Sequence, residues 1–157
     1  SLKELSALIQ EASEIKQDIV EKDPFEKGDR SKLNLGHTWA HAIEWWKPGV
    51  YTHGEAVAIG IIQAARKAEE LWLAQKGAAE ELGLAQKGAA GELGLVQKGL
   101  ADRLKEDFTA CGLPTELPCD ESELLPAMRR DKKADGDSIR FVLPVSIGKV
   151  IVKSIPL

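Results

Sequence analysis

All three histidines of this 157-residue sequence fall in one stretch, Leu33 to Gly60, which reads LNLGHTWAHAIEWWKPGVYTHGEAVAIG. Histidine both binds divalent metals and moves protons near neutral pH. His37 and His41 stand four residues apart, so on a helix they share one face. His53 follows a Trp-rich break with Pro48 and Gly49 and opens a second apolar run. Two helices joined by a short loop can bring such imidazoles together. Neutral imidazole is a common zinc ligand, and a catalytic zinc takes three protein ligands plus water. Two of these histidines or all three could serve, and spacing does not choose. The same spacing also suits capping or hydrogen-bonded core histidines with no metal at all.

The order of the surrounding residues is more specific. Asn34, Gly36, His37, Thr38, His41, Ala42, Ile43 and Glu44 are followed by His53, Gly54, Glu55, Ala56, Val57, Ala58 and Gly60. This resembles the signature of the 3-dehydroquinate synthase family, in its C-terminal, mainly helical domain. One departure is Ala40, where that family usually has Gly. Upstream, Asp23, Glu26, Gly28 and Arg30 resemble the family's Asp-x-x-Glu-x-Gly-x-Arg loop, preceded by a helical lysine, here Lys16. Downstream, Asp131-Lys132-Lys133 resembles its Asp-Lys-Lys motif.

The resemblance implies that His37 and His53 bind a divalent metal, zinc or cobalt, and that His41 lies beside the substrate as a proton-transfer group. It implies that Lys16, Arg30, Asn34 and one of Lys132 and Lys133 contact an anionic substrate. On the residues alone, Lys16, Arg30 and the lysine pair read as solvated surface. The chemistry suits the implied role, since Arg offers a planar fork to carboxylate or phosphate and Lys a mobile point charge. The family's third metal ligand is a glutamate on an earlier helix that this sequence does not contain. Glu44 and Glu55 are the nearby carboxylates that can be put in its place, although Glu55, two positions from His53, points elsewhere on a helix.

These residues need elements to hold them. Leu2 to Lys22 has apolar residues at three-and-four spacing and reads as a helix stopped by Asp23-Pro24. Gly36 permits a tight entry into the helix of His37 and His41, whose end carries Trp45 and Trp46 as core or subunit-contact residues. The run from His53 through Leu71 is apolar nearly all round and reads as a buried central helix. Residues 67–99 then repeat an eleven-residue unit three times: KAEELWLAQKG, AAEELGLAQKG and AAGELGLVQKG. Eleven residues make three helical turns, which keeps the leucines in register, while each glycine costs about 1 kcal/mol in a helix interior. A long helix is expected, as an inserted duplication without catalytic role. Further helices are expected at Leu100 to Cys111 and Glu121 to Arg130. A terminal β-hairpin follows, from Ile139 to Leu143 and Lys149 to Ile155. The fold class is therefore mainly α, one helical domain over residues 1–157 with a small C-terminal hairpin.

Composition bounds the rest. A chain of this length buries roughly 70% of its unfolded surface, enough for one real core. Charges are mixed in sign with a net of −4, and no basic stripe points to nucleic acid. No run is long and apolar enough to span a membrane, and no signal peptide is read, so a cytoplasmic setting is expected. Cys111 and Cys119 read as free thiols.

The resembled family is NAD- and metal-dependent. It cyclises a seven-carbon keto-acid phosphate of the shikimate pathway, a lyase reaction that releases phosphate. No glycine-rich strand-to-helix turn for a dinucleotide occurs here, so NAD is not expected to bind this chain alone, nor the chain alone to turn over. An N-terminal NAD-binding half, the phosphorylated keto acid and a second copy of the chain are the expected partners. Two other readings stand beside this one: a related sugar-phosphate cyclase such as 2-deoxy-scyllo-inosose synthase, and a non-catalytic helical association domain.

Overall fold

Ser1 caps the first helix, α1 (Leu2–Lys22): its Oγ accepts the backbone N–H of Glu4, closing a capping box. The computed structural model describes residues 1–26, 28–81, 96–131 and 138–156. The chain divides into two compact units, Ser1–Asn34 and Leu35–Leu157.

In the first unit α1 ends at Asp23, before Pro24. The Asp23 carboxylate then organises the loop, its Oδ2 accepting the backbone N–H of Gly28 at 2.7 Å and of Arg30 at 3.1 Å. The unit closes with a 3₁₀ turn, Asp29–Asn34. The three-and-four spacing of its apolar residues makes α1 amphipathic, yet α1 has no buried residue, and Leu5, Leu8, Ile9 and Ile15 are all exposed.

In the second unit α2 (His37–Trp46) and α3 (His53–Glu81) pack against each other. Next come α4 (Leu100–Ala110), which packs on α3, and α5 (Glu121–Asp131), which packs on α2. A hairpin of β1 (Ser138–Ser146) and β2 (Lys149–Pro156) lays β1 on α3. The strands are antiparallel, with Ile139 opposite Ile155 and Leu143 opposite Ile151, and the register shifts between Pro144 and Ser146. Trp39, Ile43, Ile59, Leu124, Met128, Leu143 and Val145 are buried in the common core of these elements. Trp39 packs against Phe141 with ring centroids 5.0 Å apart and the rings tilted by 40°, and its indole N–H donates to Glu121 at 2.9 Å, so a large apolar body is buried with its polar tip satisfied.

The fold is mainly α with a C-terminal hairpin, as the sequence pattern predicts. α3 continues through the first eleven-residue copy, residues 67–77, and into the second. Residues 82–95, most of the remaining repeat, lie outside the described residues. The end of the third copy, Val96 to Gly99, is not helical: Gly99 adopts φ 74° and starts α4. Trp46 packs against the core, while Trp45 is exposed and lies 5.6 Å from the Arg130 guanidinium, a cation–π distance. Cys111 and Cys119 are both free, and burial pushes the Cys119 thiol above its ordinary pKa. No helix among the described residues is long and apolar enough to cross a membrane.

Candidate functional site at the crossing of the second and third helices

The site begins with two glycines. Gly36 sits at φ 79°, a left-handed conformation that only glycine adopts without strain, and it turns the chain into α2. A Cβ there would lie 2.7 Å from the backbone nitrogen of Ile61. Gly60 faces it from α3, and a Cβ on Gly60 would lie 2.1 Å from the Gly36 carbonyl oxygen. The start of α2 and the second turn of α3 therefore meet backbone to backbone. His37 is the first residue of α2 and His53 the first of α3.

This crossing gathers the three imidazoles. Ring centroids of His37 and His53 lie 5.2 Å apart, those of His37 and His41 5.5 Å, and those of His41 and His53 6.2 Å. His37 Nδ1 lies 3.1 Å from the Leu35 carbonyl oxygen. A carbonyl oxygen only accepts, so Nδ1 carries the hydrogen and the neutral ring keeps its lone pair on Nε2. Burial lowers the His37 pKa, the Leu35 hydrogen bond opposes this, and repulsion from His41 and His53 adds to it. His53 Nδ1 lies 3.1 Å from Glu44 Oε1.

The neighbouring carboxylates have other work. Glu55 accepts from both the backbone N–H and the hydroxyl of Thr52 at 2.8 Å, and Thr52 Oγ1 accepts the Glu55 N–H at 3.3 Å. These bonds form the capping box of α3 and hold the Glu55 carboxyl below its ordinary pKa. The Thr-x-x-Glu spacing signals this cap in the sequence, so Glu55 is a capping residue and not a stand-in ligand. Glu44 contacts His53 rather than standing apart as a separate donor.

Lys16, Arg30 and Asn34 belong to the first unit. Lys16 is exposed on α1. Arg30 Nη1 donates to the Pro24 carbonyl at 2.7 Å, and Asn34 Nδ2 donates to Glu26 Oε1 at 2.6 Å. Lys132 and Lys133 lie outside the described residues.

Two imidazoles from separate helices, one of them biased toward its neutral form with Nε2 available, suit a divalent ion as two of its ligands. Among the described residues no group of three or more His, Cys, Asp and Glu side chains is arranged to hold a metal ion, so further donors would complete the coordination.

A family model described as 3-dehydroquinate synthase C-terminal matches residues 1–89. A 3-dehydroquinate synthase of Shewanella loihica is 38% identical over 151 residues, which cover 94% of this chain and 36% of that protein. One from Pyrococcus abyssi is 36% identical over 149 residues, covering 95% and 37%. The chain thus spans little more than a third of the length of these relatives. Among solved structures, 2-deoxy-scyllo-inosose synthase complexed with carbaglucose-6-phosphate, NAD+ and Co2+ superposes with a TM-score of 0.73 at 22% identity, covering 99% of this chain and 40% of that one. At that identity the likeness speaks for the fold.

Proposed function

The chain belongs to the 3-dehydroquinate synthase family through its C-terminal region, and on that footing we propose that it supplies the metal- and substrate-binding part of such an enzyme. In this reading His37 and His53 hold a divalent metal, zinc or cobalt. The observation that carries it is the convergence of their rings to 5.2 Å at a glycine-paired helix crossing. Support for a metal of this kind comes from the Co2+ in the 2-deoxy-scyllo-inosose synthase complex.

The substrate is a phosphorylated seven-carbon keto acid, and the product is 3-dehydroquinate with release of phosphate. A metal bound at His37 and His53 would supply Lewis-acid polarisation of the reacting hydroxyl, and NAD, held by the family's N-terminal region, would supply the hydride acceptor. The chain's own residues do the rest. Arg30 and Lys16 meet carboxylate or phosphate, Asn34 adds a neutral donor, and one of Lys132 and Lys133 meets phosphate. His41, on the same face of α2 as His37, takes or gives the proton that leaves or returns during turnover.

The test is reconstitution. The 157-residue chain is mixed with a separately expressed N-terminal nucleotide-binding half from a relative, and phosphate release is followed with seven-carbon and six-carbon phosphate substrates. Activity on the seven-carbon acid only is expected, with none from either half alone. Turnover of the six-carbon sugar phosphate instead would assign the chain to the other cyclase class. Turnover by this chain alone would remove the need for a second half.

A further inference from the structure

We propose that Glu44 is the positioning residue of His53: its carboxylate accepts the Nδ1 hydrogen of the ring and so turns the Nε2 lone pair toward a divalent cation shared with His37. This rests on the reading of His37 and His53 as metal ligands.

Glu44 lies seven residues after His37 and three after His41, so all three share one face of α2. Its Oε1 reaches across the loop to α3, 3.1 Å from His53 Nδ1. An ionised carboxylate only accepts hydrogen bonds, so Nδ1 is the donor and Nε2 keeps the lone pair whenever the ring is neutral. His37 is held in the same sense from a different source, by the Leu35 carbonyl on its Nδ1 at 3.1 Å. Two rings from two helices are thus locked through the same nitrogen. A backbone carbonyl and a carboxylate are the groups that commonly orient metal-binding imidazoles from behind. No such contact is needed if both histidines are ordinary half-exposed side chains. Imidazole in water favours the hydrogen on Nε2, so without Glu44 the ring of His53 would mostly offer the wrong nitrogen. The contact also gives Glu44 a task different from direct ligation, since the oxygen in question is already on Nδ1.

The test reads the tautomer directly. The metal-free chain, labelled with ¹⁵N-histidine, is examined by long-range ¹H–¹⁵N spectra well above the ordinary imidazole pKa of about 6.5. His53 should show a protonated Nδ1 and a bare Nε2. In Glu44→Ala, which keeps a strong helix former on α2, His53 should move toward the Nε2–H form while His37 stays unchanged. Co2+ titration followed by visible absorption should then show binding weakened about ten- to hundred-fold in Glu44→Ala. A His53 ring that carries its hydrogen on Nε2 in the parent chain, or that ignores Glu44→Ala, overturns the proposal. So does Co2+ affinity that depends on His37 but is equal with and without Glu44. Co2+ binding that His37→Ala leaves untouched would overturn the metal reading itself, separately from the tautomer result.

Discussion

His37 carries opposing demands that its surroundings resolve. Its ring is partly buried, which disfavours the imidazolium, and two further imidazoles stand within 5.5 Å by ring centroid. The Leu35 carbonyl stabilises the Nδ1 hydrogen and pulls the other way, but burial is the larger effect. The folded state therefore binds a proton at His37 less readily than the unfolded chain. The contribution to stability is fully present above the unfolded value of about 6.5 and is lost as pH falls through it toward the lower folded pKa. An NMR titration of the metal-free chain should place the His37 midpoint below about 6.5, and a midpoint at or above that value would contradict this account. Much of this residue-level picture is legible in the sequence, because an i, i+4 histidine pair on a helix and a third histidine opening the next helix announce a cluster. The partners are less so. Glu55, two positions from His53, is a poor ligand on helix geometry; the Thr-x-x-Glu spacing hints at its other role, and its bonds to Thr52 show it as a cap. The Glu44 contact depends on how the loop through Pro48 and Gly49 folds back, which no local periodicity encodes.

The two helices are placed by backbone contact, and that is testable by comparing glycines. Gly36 and Gly49 share φ 79°, but a Cβ on Gly36 meets Ile61 and Val57 under 3 Å, while a Cβ on Gly49 meets nothing within 4 Å. Gly49→Ala should cost only the left-handed strain, about 1–2 kcal/mol. Gly36→Ala should add an overpacking cost of about 1–3 kcal/mol, read as a lower denaturation midpoint in urea. Equal losses at both sites would mean that the crossing does not need a glycine. Helix positions themselves were legible: apolar spacing and the Asp23-Pro24 stop bound α1, and Ile- and Val-rich runs around Gly148 give the hairpin. The strands reach farther than those runs, to Ser146 and Pro156, because cross-strand pairing extends regular structure past the apolar core. The repeats were the hardest to read. Their leucine register favours helix and their glycines oppose it, and the structure has helix at the first copy and a left-handed Gly99 at the end of the third. Gly36 reads from the sequence as a turn into α2, but its pairing with Gly60 is a tertiary fact, twenty-four positions apart in a sequence that shows only two small residues.

At the scale of the molecule, one unit carries the histidine cluster and the core, and the other carries Lys16, Arg30 and Asn34. The chain spans little more than a third of the length of these relatives. Its central task in this account is to hold a divalent ion between α2 and α3. Calorimetric titration of the 157-residue chain with Co2+ tests that most directly, beside a His37→Ala, His53→Ala double variant and a His41→Ala variant. One binding site is expected in the parent chain, with nearly the same affinity in His41→Ala. In the double variant the expected loss is greater than the roughly hundredfold that removal of an outer-shell partner causes. The same isotherm from the parent chain and the double variant would contradict a metal held by His37 and His53.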